Sequence, residues 1–225
     1  MKISNVSQFV EVISKYKNDS SWVFRGQAVD SWDLKPKVFR EPFEQYDEEH
    51  MLDVWSRVAI KHLDKQPASR LEWLALAQHN GLPTRLLDWS YNPLVALYFC
   101  CSSHHDRDGE VFALRSRYDS IDNNLDPFKI TEVDMYRASS FIERISSQQG
   151  LFTIHHDSKH CLKQDQKPFL SFDVYQVPAS SKSLILDELH LLCINEYTIY
   201  QDLESLSKSM VWQITDHEDV SFKGG

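Results

Sequence analysis

The 225-residue chain is 42% hydrophobic and 25% charged, a balance that predicts a globular protein with a sizeable core. A net charge of -9 disfavours nucleic acid as a partner, although it leaves room for a local basic groove. No apolar run is long enough to span a membrane, and the first residues lack a signal-peptide pattern, so we expect a soluble, cytoplasmic protein without a membrane partner.

The N-terminal part predicts a helix, a strand and a second helix. Apolar residues recur at helical spacing between residues 4 and 17, and the β-prone run from Trp22 leads into Arg25 and Gly26. The glycine would let a backbone or a ligand approach closely. Arg25 either contacts a ligand or pairs with an acid between residues 41 and 53. Residues 44–63 fit an amphipathic helix whose acids, Glu48 among them, are expected in solvent.

Residues 78–99, QHNGLPTRLLDWSYNPLVALYF, form the most distinctive stretch of the sequence. Helix formers precede it, Gly81 and Pro83 end that helix, and a capping residue before Pro93 begins another. A polar cluster is therefore predicted between two helices that pack into the core. Its members are Gln78, His79, Thr84, Arg85, Asp88, Trp89 and Ser90.

This cluster has two interpretations. In the structural one, Arg85 and Asp88 form a partly buried ion pair, and Gln78 and His79 satisfy carbonyl groups at the helix end. In the functional one, Arg85, His79 and Gln78 line a pocket for an anionic or nucleotide-like ligand, because arginine suits bidentate phosphate contacts. Trp89 could stack on a base.

The C-terminal half alternates short strands and helices without a regular order. Strands are predicted at residues 109–114, 151–155 and 169–177, and helices at 180–193 and 197–211. The fold class is therefore α+β, with a mixed β-sheet core flanked by several helices. The cysteines show no CxxC spacing and the paired histidines point in different directions, so we expect no metal site.

Four motifs in this order resemble the bacterial and phage FRG-domain family, which is named for its Phe-Arg-Gly sequence. They are VFRGQ at 23–27, LAQHNGLPTRLLDWSYNPLVALYF at 76–99, RISSQQGLFTIH at 144–155 and ELHLLCINEYTIYQDLESL at 188–206. The resemblance covers nearly the whole chain and implies a single FRG domain over residues 1–225. Ser90 stands where the family usually has threonine, and Cys193 and Gln201 depart from its usual glycine and proline.

The sequence also resembles ADP-ribosyltransferases of the arginine-serine-glutamate type. The segment 24–26 is similar to their first motif, Ser90 with the following Ala-Leu-Tyr-Phe to their second, and residues 148–150 lie at the third. The resemblance implies an ADP-ribosyltransferase-like fold, NAD as the substrate, and catalytic roles for Arg25, Ser90 and Gln149. It also implies that ligand contacts come from Gly26, Arg144 and Gln148 and from the central cluster of Gln78, His79, Thr84, Arg85, Asp88 and Trp89.

Two functions follow from these resemblances. The first is an NAD-utilising effector or toxin in conflict between bacteria and phage, acting as an ADP-ribosyltransferase-like transferase or an NAD glycohydrolase, with a protein target. The second is a noncatalytic module that senses a nucleotide or a protein partner. It draws support from Gln149, because the transferase pattern has a carboxylate where this glutamine stands.

Overall fold

The structure is a computed structural model that describes residues 1–115, 121–137, 150–157, 161–163, 169 and 171–215. Its strands in this part of the chain are β1 (Trp22–Gln27), β2 (Leu86–Ser90), β3 (Gly109–Arg115), β4 (Asp134–Tyr136), β5 (Gly150–Ile154) and β6 (Ser171–Val177). They form one sheet in the order β4-β5-β2-β1-β3-β6, with β1 and β2 at its centre. The predicted α+β class is confirmed. The pairings between these strands are all antiparallel, whereas the sequence led us to expect a mixed sheet.

The helices in the same residues are α1 (Val6–Ile13), α2 (Glu48–Ala59), α3 (Arg70–His79), α4 (Pro93–Cys101), α5 (Lys182–Leu191), α6 (Glu196–Tyr200) and α7 (Leu203–Thr215). Side chains of Asn5, Asp47, Ser69 and Asn92 accept main-chain N–H bonds at the starts of α1 to α4. The single helix predicted at 197–211 is in fact α6 and α7, because Gln201 takes a left-handed conformation between them. None of the described helices has the length and apolarity needed to cross a membrane.

The segment between α3 and α4 forms a strand, β2, where the sequence suggested a loop between two helices. Its pairing with β5 runs in register from Leu86 opposite Ile154 to Ser90 opposite Gly150. Asp88, Trp89 and Ser90 of the polar cluster therefore lie on a central strand, where neighbouring side chains point to opposite faces of the sheet.

The helices cover one face of the sheet in two groups. Buried residues of α2 and α3 pack with Leu86 and Phe152 over the β2 and β5 side. Buried residues of α1, α4 and α5 pack with Phe24 and Tyr175 over the β1, β3 and β6 side. A third cluster, which includes Trp89, fills the opposite face. The boundary between the two helix groups lies where β1 meets β2.

Helix α4 packs directly on β1 because residue 26 is glycine. A Cβ atom at Gly26 would lie 1.8 Å from the carbonyl oxygen of Ala96 and 2.6 Å from the amide nitrogen of Cys100. The glycine of the Phe-Arg-Gly motif thus permits the approach of a backbone rather than a ligand.

Candidate functional site

A cleft of about 620 Å³ opens at the boundary between the two helix groups. It lies over the meeting point of β1 and β2, between the C-terminal end of α3 and helix α4. The lining residues are Phe24, Arg25, Gly26, Gln27, Ala28, Trp32, Arg40, Gln78, His79, Asp88, Trp89, Ser90, Val95, Ala96, Phe99, Ser102, Ser103 and Tyr200. Its volume is in the range of small-molecule sites in proteins.

Arg25 connects the two central strands at the edge of the cleft. The register between β1 and β2 consists of the pair Phe24 and Ser90, and beside it the Arg25 NH1 group donates to the main-chain oxygen of Asp88 at 2.7 Å. The same NH1 lies 3.6 Å from the Asp88 carboxylate. The Arg25 Nε atom has no hydrogen-bond partner in the described residues. The guanidinium therefore keeps donors that a ligand could engage.

Burial lowers the pKa of Arg25 from its ordinary value, Asp88 acts in the opposite direction, and Arg40 lowers it further. The pKa of Arg40 is also lowered, again chiefly by burial. Two partly buried cations therefore stand near one another. An anion bound between them would raise the pKa of both arginines.

Asp88 supplies the carboxylate of the cleft. It is the one Asp or Glu among the residues that line the cleft in the described chain, and its side chain is 59% exposed. The Gln78 side-chain NH₂ donates to Asp88 Oδ2 at 3.0 Å, and the Thr84 hydroxyl donates to Gln78 Oε1 at 2.5 Å. Thr84 itself is fully buried and does not line the cleft.

Ser90 and Trp89 are buried, and each forms a hydrogen bond within the protein. The Ser90 Oγ accepts the main-chain N–H of Asn92 at 2.9 Å, in the turn that leads into α4, and the residue is buried. Trp89 is buried in the third core cluster, and its Nε1 donates to Thr153 Oγ1 at 3.1 Å. Base stacking on Trp89 is therefore not supported, because its ring belongs to the core.

Arg85 lies outside the cleft, and the predicted Arg85–Asp88 ion pair is wrong. The Arg85 side chain pairs with Glu48, with 2.8 Å between Nε and Oε2, and its main-chain N–H donates to the same carboxylate at 2.7 Å. NH1 donates to the Pro127 oxygen, and the guanidinium lies over the Phe128 ring. Burial raises the pKa of Glu48, against the opposing effect of Arg85. Glu48 is therefore a buried partner and not the solvated acid that helical periodicity suggested.

The structure brings together Arg25, Gly26, Gln78, His79, Asp88, Trp89 and Ser90 from the predicted site residues. Arg144, Gln148 and Gln149 lie outside the described residues. Sequence reasoning missed Gln27, Trp32, Arg40, Phe99 and Tyr200 as lining residues. Gln27 adjoins the Phe-Arg-Gly motif and could have been included, whereas Arg40 and Tyr200 carry no local signal because the fold brings them to the cleft from distant segments.

The described chain has further cavities outside this cleft. A second cavity of about 480 Å³, whose lining includes Tyr98, His190 and Trp212, contains none of the predicted site residues. Within the described ranges, no group of three His, Cys, Asp or Glu residues is arranged to hold a metal ion.

The architecture defines a class of protein, an α+β domain with a ligand-sized cleft beside the two central strands of an antiparallel sheet. Residues 20–109 match the model of the FRG domain family. This segment holds all the lining residues of the cleft except Tyr200. No curated protein and no solved structure matches the chain.

Proposed function

We propose that the cleft binds NAD and that the protein is an NAD-utilising enzyme of the ADP-ribosyltransferase type. The observation that carries this proposal is the convergence of Arg25 and Arg40 with an exposed carboxylate, Asp88, in one cleft of about 620 Å³. Arginines are suited to the pyrophosphate, and the aromatic side chains of Trp32, Phe99 and Tyr200 offer apolar contacts for the rings of a dinucleotide.

The reaction needs little from the protein beyond positioning and charge. The bond between ribose C1′ and the nicotinamide nitrogen breaks, and nicotinamide leaves with the electron pair. Positive charge then develops on the ribose, where a nearby carboxylate stabilises it. Water or a target nucleophile adds to C1′ and releases a proton. Asp88 is the carboxylate that the described lining offers for this role.

The test is nicotinamide release from NAD by the purified chain, with a cell lysate as a source of targets. We expect release by the wild type and a loss of at least about a hundredfold in Arg25→Gln, as when a charged contact to the substrate is removed. Arg70→Gln is the matched control, because Arg70 also pairs with acids, Glu49 and Asp53, but lies outside the cleft. Release by the wild type and Arg25→Gln at equal rates would contradict the proposal.

A noncatalytic sensor is the second candidate, and Ser90 favours it. The hydroxyl that the transferase resemblance assigns to catalysis is buried and accepts the Asn92 N–H. In that case NAD or ADP-ribose would raise the melting temperature through the same arginines, with no nicotinamide formed.

A further inference from the structure

The charges of the cleft indicate what kind of ligand complements it. Two arginines and one carboxylate line the cavity in the described chain, so a purely anionic ligand would meet Asp88 as a like charge. A ligand with an anionic part and a cationic part satisfies both. Oxidised NAD is such a molecule, because it joins a pyrophosphate to a positively charged pyridinium ring.

Asp88 forms only a long ion pair with its arginine neighbour. Arg25 NH1 donates to the main-chain oxygen of Asp88 at 2.7 Å and stays 3.6 Å from the carboxylate, beyond the range of a charge-assisted hydrogen bond. More than half of the Asp88 side chain is exposed. Its negative charge is therefore available to a ligand in the cleft.

Gln78 and Thr84 fix the orientation of the Asp88 carboxylate. Because Gln78 Oε1 accepts the buried Thr84 hydroxyl, the Gln78 NH₂ must face Asp88 Oδ2 and the main-chain oxygen of Leu86. Thr84 also accepts the Leu86 N–H, which fixes its own position. Thr84 and Gln78 are positioning residues that hold one carboxylate oxygen and leave the other, Oδ1, without a partner in the described residues.

We propose that Asp88 recognises the positive charge of the nicotinamide ring and makes the cleft selective for the oxidised dinucleotide. The inference rests on the proposed function for its ligand, but it concerns binding and does not require turnover. NAD⁺ and NADH differ by that one charge and share the pyrophosphate. Asp88 is the carboxylate that the described lining offers to tell them apart.

The experiment is calorimetric titration of the full chain with NAD⁺, NADH and ADP-ribose under conditions without turnover. We expect the wild type to bind NAD⁺ about fivefold more tightly than NADH, the effect of one ion pair open to water. Asp88→Asn removes the charge but keeps the shape, so NAD⁺ and NADH should bind it equally. ADP-ribose, which lacks the pyridinium charge, should bind Asp88→Asn at least as tightly as the wild type, because Asp88 is a like charge for its pyrophosphate.

Asp53→Asn is the matched control, because Asp53 is also an exposed aspartate paired with an arginine, Arg70, and it lies outside the cleft. The control should keep the preference for NAD⁺. Equal Kd values for NAD⁺ and NADH in the wild type, or an unchanged preference in Asp88→Asn, would overturn the selectivity alone. No binding of any of the three compounds would overturn the proposed function as well.

The positioning role has its own test. Thr84→Val removes the hydroxyl that orients Gln78, so the preference for NAD⁺ should fall while ADP-ribose binding stays the same. Thr84→Ser keeps a hydroxyl and should restore the preference. A loss of ADP-ribose binding in Thr84→Val equal to the loss for NAD⁺ would show a merely structural role.

Discussion

Arg25 and Arg85 show how similar residues acquire different roles from their surroundings. Arg25 lies in β1 and Arg85 directly precedes β2, and both were predicted to contact a ligand. Arg85 has its charge matched by Glu48 and its donors taken up by a carboxylate and a carbonyl, all in the core. Arg25 has one main-chain acceptor, a loosely placed carboxylate and an open cleft beside it. Arg85 is therefore structural, whereas Arg25 keeps a hydrogen-bond donor, Nε, without a partner in the described residues.

Arg85→Met should therefore destabilise the fold. It leaves the buried Glu48 carboxylate without its counter-charge, and breaking such a pair costs about 3 to 5 kcal/mol. The double variant Glu48→Gln with Arg85→Met should recover part of this loss, because no unpaired charge remains. Urea unfolding of the two single variants and the double variant measures the coupling. Equal stabilities of Arg85→Met and the wild type would show that the pair contributes nothing.

The sequence could not assign a partner to Arg85. Its ion pair joins residues 37 positions apart, and local pattern indicates only that an arginine lies near Asp88. Periodicity also placed Glu48 on the polar face of its helix, because it cannot detect that this one side chain is buried against Arg85 at the start of β2. By contrast, Gln78 and Asp88 could be predicted as site residues, since they lie only ten positions apart and the turn at Gly81 brings the helix end and the strand together.

At the scale of elements, the contact of β1 with α4 determines the shape of the cleft. The helix rests on the strand at Gly26, where the Ala96 carbonyl occupies the space of a side chain. Phe24 and Ala96 then lie in one core cluster, and Val95, Ala96 and Phe99 form the α4 wall of the cleft. The end of α3 and the start of α4 were predictable from Gly81, Pro93 and the capping residue before it, because these signals are local. Strand β2 was not, since it owes its form to pairing with β5.

Gly26→Ala should separate α4 from β1. The new methyl group would lie 1.8 Å from a backbone oxygen that cannot rotate away, so we expect a loss of about 3 kcal/mol, at the upper end for overpacking.

Gly81→Ala is the comparison for this variant. A Cβ atom there meets nothing within 4 Å, but the φ of +91° disfavours any side chain, at a cost of about 1 kcal/mol. Urea midpoints measure both losses. If Gly26→Ala proves no more destabilising than Gly81→Ala, the close approach of helix and strand is not required.

At the scale of the whole molecule, the segment that matches the FRG domain depends on the rest of the chain. Residues 20–109 contain β1 and β2 in full and only the first residue of β3, and the register between β1 and β2 is a single pair. Their longer pairings are with β3 and β5. We therefore expect residues 1–225 to behave as one domain, as the spread of the motifs along the chain suggested.

Long-range contacts also complete the cleft. Tyr200 reaches it from α6, and the fully buried Lys182 of α5 donates to the carbonyl groups of Ala28, Ser103 and His104 beside it. Such contacts cannot be inferred from spacing, because they join segments separated by more than seventy residues. The motifs indicated which part of the chain contains the site, whereas its walls became apparent only in the fold.

The most direct test of this account is a crystal structure of the full chain with bound ADP-ribose, which keeps the pyrophosphate and cannot be turned over. We predict that the pyrophosphate oxygens lie within hydrogen-bond distance of the Arg25 and Arg40 guanidinium groups, with the distal ribose facing Asp88. Binding of ADP-ribose at another place, such as the cavity beside His190 and Trp212, would contradict the assignment of the cleft as the nucleotide site.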